Sequence, residues 1–413
     1  MPSVTIGFVP RDRFCKAAEA LERLFDCTSI QFRLIAVDCN IPDVFRREMD
    51  RVLEHRRNVR TIRTERYLLT NQMHNLIIRE SDDEFVCLVE NDILVEGEWL
   101  PRLIAACEEH PADVAVPLII ERQSGFEKIH FDDRLGHVQP VPAEGRTRYE
   151  IVSRSGGKEL KAISGRRTVD MIESHCVLFR REVFDRIGPF DETMSARAEV
   201  DLSLALHHAK IPIVFEPRSR VVYSPPPPIY PEERDYYLFK WNIERAAENH
   251  RHLEEKWRLV HLPSSVDFVK MRRSLASDLD PEVQLRREAE YRTSVEMTAK
   301  DIAALVPAGD ALILVDGQQL NTGEVAGGRW AIPFLERDGV YWGPPADDET
   351  AIREFERLRQ QSGASHMAFA WPAFWWLDYY GGLRDHLRAR FPCVLENERL
   401  LVFDLRSGRR TVR

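Results

Sequence analysis

The chain has 413 residues, 44% hydrophobic and 30% charged, which excludes a disordered chain and, at roughly 100–200 residues per domain, predicts two or three domains. Its 58 Lys and Arg stand against 67 Asp and Glu, a formal charge of -9, which excludes a dedicated nucleic-acid binder unless basic residues segregate. No window approaches the roughly 18 apolar residues of a spanning helix, and the opening MPSVTIGFVPRDRF is unlike a signal peptide. The expected location is the cytoplasm, with peripheral attachment at an inner membrane compatible with it.

Short apolar runs rich in β-branched residues predict strands at Val4–Val9, Phe32–Val37, Phe85–Val89, Val114–Ile120 and His175–Phe179. Between the first two, Ala17, Ala20, Leu21, Leu24 and Phe25 recur at helical spacing; Trp99, Leu103, Ile104 and Cys107 do so after the third. Strand, helix, strand implies a mainly parallel α/β sheet, whose ligands bind beyond the carboxyl ends of the strands. Pro10 to Arg13, Asp38 to Asp43 and Glu90 to Asp92 are therefore the places to look. From Gln123 to Thr168 the pattern fades into an excursion expected over the site rather than in the core.

The proline run 225–228 is expected to end the first domain. Charged helices over Pro231–Leu259 and Pro281–Leu305 follow, the second opened by Asp280 before Pro281. Strand-like Ala311–Val315, His366–Trp371 and Leu400–Leu405, with helical Glu349–Gln360 and Leu383–Phe391, predict a second α/β unit. The expected domains are 1–228, a helical linker at 229–304, and a smaller α/β domain at 305–413. The seven cysteines show no C-x-x-C spacing and read as reduced, mostly buried thiols.

The most informative stretch is Phe85-Val-Cys-Leu-Val-Glu-Asn-Asp-Ile-Leu-Val95. An apolar strand delivers Glu90 and Asp92 at its carboxyl end, where carboxylates two apart can meet a hydrated divalent cation and a diphosphate; standing alone, the same pattern also describes a strand ending in a polar turn. Other stretches carry a resemblance together with it. Thr5-Ile-Gly-Phe-Val-Pro-Arg-Asp-Arg13, Phe32-Arg-Leu-Ile-Ala-Val-Asp-Cys-Asn-Ile-Pro-Asp43, Asn75, Glu90-Asn-Asp92, Phe179-Arg-Arg-Glu-Val-Phe-Asp-Arg-Ile-Gly-Pro-Phe-Asp-Glu192 and Ala198-Glu-Val-Asp-Leu-Ser-Leu-Ala-Leu206 follow one another in the order and spacing of a known family. Over about residues 4 to 224 the chain resembles family 2 of the glycosyltransferases, enzymes of GT-A fold that use nucleotide-activated sugars.

That resemblance implies an α/β, Rossmann-like mixed sheet flanked by helices. It implies a donor site of Pro10, Arg11, Asp38, Asn75, Glu90 and Asn91, with Asp38 in the turn that contacts the base. Asp92 stands at the metal position of the D-x-D motif, implying Mg²⁺ or Mn²⁺, and the family's base falls on Glu199, with Asp201 beside it in the acidic helix-start motif. Asp201 itself is expected to hold the helix start. Glu173 and His175 are candidates for acceptor contact. The sequence departs from the pattern at Glu90 and Ala198, each in place of an acidic residue of the motif, at Tyr223 where many members have a metal-ligating histidine, and at Cys39 and Ile41 in the base-binding turn.

The implied reaction moves a sugar from a UDP-, dTDP- or GDP-sugar to a hydroxyl of a glycan or lipid-linked acceptor, as in bacterial polysaccharide biosynthesis, by inverting single displacement with a carboxylate base. The alternative is a catalytically silent nucleotide-sugar or glycan binding protein, favoured by the departures. A dinucleotide oxidoreductase would need a G-x-G-x-x-G turn, unlike Pro10-Arg-Asp-Arg13.

Three further features stand out. The arginine-rich segment 46–66 reads as a solvated helix face with its exit turn, or else as a phosphate or membrane patch. Among the histidines, His207 and His208 point to different sides of a helix. The aromatic run Ala370-Trp-Pro-Ala-Phe-Trp-Trp-Leu-Asp-Tyr-Tyr380 either packs against the sheet or stacks on sugar faces; the terminal domain resembles an accessory module found beside bacterial glycosyltransferases, with no activity implied. The sequence leaves the oligomeric state open, homo-oligomers included.

Overall fold

The computed structural model describes residues 2–123, 126–131, 137–143, 146–152, 165–224, 229–259, 265–276, 281–317, 320, 326, 328–337, 340–341, 344–345 and 347–406. The proline run 225–228 and Asp280 lie outside these residues. Two compact units divide the chain, one of residues 1–151 and 159–284, the other of residues 152–158 and 285–413.

The first unit opens with β1 (Val4–Val9), α1 (Ala17–Cys27), β2 (Arg33–Cys39), α2 (Asp43–Leu53), β3 (Val59–Thr64), α3 (Thr70–Glu80), β4 (Phe85–Glu90), β5 (Ile93–Val95) and α4 (Trp99–Glu109). It continues through β6 (Val114–Gln123), β7 (Phe126–Phe131), β8 (His137–Ala143), β9 (Arg146–Val152), β10 (Arg167–Val169), β11 (Cys176–Arg180), α5 (Val183–Ile187), α6 (Ala198–His208) and β12 (Ile213–Tyr223). The helices α7 (Arg234–Lys240), α8 (Ile243–Trp257) and α9 (Val266–Ser274) close it.

The main sheet runs β10-β12-β6-β11-β4-β1-β2-β3, with β5 joined to β12 and β7 to β6. Strands β4, β1, β2 and β3 are mutually parallel, as are β6 and β12, while β11 runs antiparallel to both β4 and β6. The sheet is therefore mixed. The mainly parallel reading from strand-helix alternation is corrected at β11, whose short apolar run carries no sign of its direction.

Apolar spacing accounts for the flanking helices. In α1, Ala17, Ala20, Leu21 and Leu24 are buried, and in α2 Phe45, Met49 and Leu53. Gly7 lets α3 lie close on β1, for a Cβ there would meet Ile77 Cγ2 at 2.6 Å. The arginine-rich segment is α2 followed by the edge strand β3, rather than a helix face with its turn. Within the expected excursion, β7 pairs with β6 and Phe131 is fully buried in the main core, so this part is core and not only cover. The helix expected over Pro231–Leu259 breaks after Lys240, where the Asn242 side chain accepts the Arg245 N–H at 2.8 Å and starts α8.

The second unit is built on α10 (Pro281–Leu305), β13 (Ala311–Val315), β14 (Trp330–Pro333), the pair β15 (Glu336–Arg337) and β16 (Val340–Tyr341), α11 (Asp348–Ser362), β17 (His366–Ala370), α12 (Trp375–Tyr379), α13 (Gly381–Arg390), β18 (Cys393–Glu396) and β19 (Leu400–Asp404). Its sheet order is β14-β13-β17-β19-β18. Alternation splits its core: Ile313, Val315, Met367 and Phe369 pack with Phe355 of α11, while Leu312, Leu314, Ala368 and Val402 pack with Ile302 of α10. The aromatic run divides accordingly, with Trp376 and Tyr380 buried and Trp375 and Tyr379 exposed. No helix among the described residues is long and apolar enough to cross a membrane.

Candidate functional site

Register assembles the site. Because Cys176 pairs with Val89, Glu90 at the end of β4 faces His175, and the Glu90 N–H donates to the His175 carbonyl at 2.9 Å. The side chains follow the backbone: His175 Nδ1 lies 2.9 Å from Glu90 Oε2 and 3.1 Å from Asp92 Oδ1. The other ring nitrogen lies 3.5 Å from Glu173 Oε1. Arg11, in the turn after β1, sets its Nη1 at 2.7 Å from His175 Nε2 and reaches Glu90 at 3.4 Å and Asp92 at 3.5 Å. Glu90, Asp92 and His175 are buried.

The turn carrying Arg11 is fixed on several sides. Asn91 accepts the Arg11 N–H at 3.1 Å and donates to the Arg13 carbonyl at 2.7 Å. The buried Glu233 carboxylate accepts the Phe14 and Cys15 N–H groups at 2.6 and 2.8 Å. Asp12 takes Arg272 Nη2 at 2.6 Å and Trp241 Nε1 at 3.2 Å. The Tyr236 hydroxyl donates to the carbonyls of Pro10 and Arg11, each at 3.4 Å. Glu233, Tyr236 and Arg272, and the part that Asp12 plays with them, were invisible to motif reading because the partners lie more than 200 positions apart in the chain.

Charge in this cluster is mutually dependent. Burial and Arg11 work against the His175 imidazolium, but Asp92 and Glu90 outweigh them and lift its pKa to about 10. Burial alone would raise Glu90; His175 and Arg11 reverse this and hold it well below the usual carboxylate range. Burial also pushes up Glu199, and the nearby Glu173 carboxylate adds to the shift. Beneath them, burial lowers the pKa of Lys240, whose ammonium donates to Thr70 Oγ1 at 2.8 Å.

Of the sequence candidates, Arg11, Glu90, Asp92, Glu173 and His175 meet in one cluster, and Glu199 feels the charges of Glu173 and Arg11. Asn91 and Pro10 shape the turn beside it. Asp38 ends β2 with Oδ1 accepting the Ile41 N–H at 2.8 Å and Oδ2 facing Arg63 Nε at 3.6 Å. Asn75 is elsewhere engaged: its amide donates to the Phe190 carbonyl and accepts the Phe190 N–H, both at 2.9 Å, fastening α3 to the loop before α6. Asp201 is held by Lys256 Nζ and Trp257 Nε1, each at 2.7 Å, and so ties α6 to α8 rather than capping the start of its own helix.

The ligand atoms of Glu90, Asp92 and His175 lie within 4.8 Å of one another, as do those of His130, Glu173 and His175. Two carboxylates and an imidazole suit a divalent cation tolerant of nitrogen, and the group fits such an ion on its donor chemistry. His130, on β7, a histidine to which the sequence alone assigns no role, sets its ring 5.1 Å from that of His175 and 4.6 Å from Tyr223. Tyr223 stands at the expected histidine position, but an imidazole reaches the acidic pair from the opposite strand instead. His207 and His208 are not part of the cluster; both rings contact Tyr149.

Residues 13–188 match the model of the family described as "Glycosyl transferase family 2". No curated protein matches the chain. Among solved structures it is similar to residues 1–349 of TarS from S. aureus in complex with UDP-GlcNAc, at 11% identity over 60% of this chain and 66% of that one, with a TM-score of 0.41. It is similar to the mannosyltransferase PcManGT from Pyrobaculum calidifontis in complex with GDP-Man and Mn²⁺, at 13% identity over 74% and 81%, with a TM-score of 0.44. A third, GalNAc-T7 with UDP, GalNAc and Mn²⁺, is 14% identical over 71% of this chain but only 58% of its own, with a TM-score of 0.42. The segment that matches this family, residues 13–188, is the part that brings Arg11's partners Glu90, Asp92 and His175 together.

Proposed function

We propose that the chain transfers a sugar from a nucleotide-sugar donor to a hydroxyl of a glycan or lipid-linked acceptor by a single, inverting displacement. The observation that carries the reading is the acidic cluster of Glu90 and Asp92 at the carboxyl end of β4, faced by Arg11 and His175, inside the segment that matches the family. Asp38 is assigned to the base of the nucleotide, and Arg11 to the diphosphate through the guanidinium fork. Asp92, with Glu90 and His175, would hold Mg²⁺ or Mn²⁺, which when bound supplies positive charge beside the departing diphosphate.

Glu199 serves as the general base. Its carboxylate takes the acceptor hydroxyl proton as that oxygen bonds to the anomeric carbon and the bond to the diphosphate oxygen breaks. A pKa raised by burial and by Glu173 suits this role, since a stronger base accepts the proton more readily. Glu173 is assigned to the acceptor side, and His175 to the cation rather than to the acceptor. The test is release of nucleoside diphosphate from a panel of UDP-, dTDP- and GDP-sugars in the presence of Mn²⁺, with and without glycan acceptors.

A second reading, binding without turnover, draws support from the Arg11 guanidinium, which contacts both carboxylates that would take the cation. Donor affinity with no product under any acceptor would favour it.

A further inference from the structure

Away from this site, α2 and β3 carry a concentration of arginine. Residues 46–66 hold eight arginines against four acids in a chain of net charge -9. Helix α2 and the edge strand β3 enclose a groove of about 630 Å³ whose charged lining is Arg47, Asp50, Arg51, Glu54, Arg56 and Arg63.

The charges in the groove are not equivalent. Asp50 is neutralised by an ion pair with Arg63. Arg56 is held by stacking over the Phe25 ring, its guanidinium carbon 4.4 Å from the centroid. Arg47 and Arg51, both exposed and one turn apart on α2, are paired with no carboxylate among the described residues. Three guanidinium groups therefore face the groove against the single remaining acid, Glu54. Each guanidinium presents a planar fork that matches phosphate oxygens, and the rise of one helical turn, about 6 Å over four residues, separates the two forks on α2.

We propose that this groove is a binding site for a soluble ligand carrying at least two clustered phosphate groups. The exposed acids Glu48 and Glu54 on the same helix would face an extended anionic surface with like charge, which favours a compact soluble ligand that bridges Arg47 and Arg51. Of the groove's lining, Arg63 also faces Asp38 at 3.6 Å, but Arg47 and Arg51, which carry the proposal, have no such contact among the described residues, and nothing in the proposal depends on glycosyl transfer.

The test uses the full chain and sodium tripolyphosphate, with binding read by calorimetric titration and by the thermal midpoint. The expected result is saturable binding that weakens with added salt and falls about tenfold or more in Arg47→Gln/Arg51→Gln, since two charge-assisted contacts are lost. Both positions are exposed, so the unliganded midpoint of that variant stays at the wild-type value. Arg11→Gln, which probes the acidic cluster and the diphosphate position assigned to it, keeps the binding event that the double variant loses. The proposal is overturned if the double variant binds as the wild type does, if Arg11→Gln alone abolishes binding, or if the protein floats with phosphatidylglycerol vesicles while tripolyphosphate gives no response.

Discussion

Glu90 and His175 are joined twice, by a main-chain hydrogen bond of 2.9 Å across β4 and the residue preceding β11, and by a side-chain contact of 2.9 Å. Antiparallel pairing thus sets an imidazole beside an acidic pair that sequence order alone assigns to a different part of the chain. The arrangement also explains how Tyr223 can stand where a histidine was expected while the cluster keeps a nitrogen donor.

If Asp92 holds a cation against the donor diphosphate, Asp92→Asn weakens donor binding much more with Mn²⁺ present than in its absence. Titration of a nucleoside diphosphate by calorimetry, with Mn²⁺ and with a chelator, checks this. Equal loss under both conditions would remove the metal from the account.

The Asp12–Arg272 pair anchors the turn that carries Arg11 to α9. Asp12→Ala leaves a largely buried guanidinium without its carboxylate, and the expected loss is about 2–4 kcal/mol, toward the lower end because Arg272 keeps some water contact. Burial opposes ionisation of Asp12, but Arg272 and then Arg11 overcome it and lower its pKa. A depressed pKa in the folded state contributes stability that is present above the unfolded carboxylate value, about 3.9, and is lost as pH falls below it. Denaturant midpoints between pH 7 and pH 3 should therefore drop for the wild type at the acid end, and drop less for Asp12→Ala.

Gly7→Ala places a methyl group 2.6 Å from Ile77 Cγ2 and 3.1 Å from Leu88 Cδ2. Such overpacking is expected to cost about 1–3 kcal/mol, read as a lower urea midpoint at unchanged slope. A variant as stable as the wild type would mean that α3 moves off the sheet without penalty.

Asp201→Asn removes charge from a carboxylate held by Lys256 and Trp257, so its expected effect is on stability, about 1–3 kcal/mol, with turnover per folded molecule largely kept. A selective loss of turnover at full stability would move the base from Glu199 to Asp201.

What could be read in the sequence follows physical range. The strands β1, β2, β4 and β6 and the helix α1 announce themselves through local apolar spacing, and their carboxyl ends direct attention to Arg11, Asp38, Glu90 and Asp92. Strand β3 was hidden because arginines alternate with only a few half-buried apolar residues at the sheet edge. The direction of β11, and with it the meeting of His175 with Glu90, is decided by pairing across 85 residues of chain. The clamp of Asp12, Glu233 and Arg272 is likewise a matter of tertiary contact. Asn75 shows the reverse limit, a motif residue whose amide is spent on the Phe190 backbone.

The central claim is that Glu199 removes the acceptor proton in an inverting transfer. Its most direct test is turnover of Glu199→Gln, a change that keeps size and removes basicity, measured beside the anomeric configuration of the wild-type product. The account predicts a fall of about 10² to 10⁴ in turnover with donor affinity nearly unchanged, a wild-type rate that declines as pH falls through the raised pKa of Glu199, and inversion at the anomeric carbon. Near-normal turnover in Glu199→Gln, or retention of configuration in the product, would contradict it.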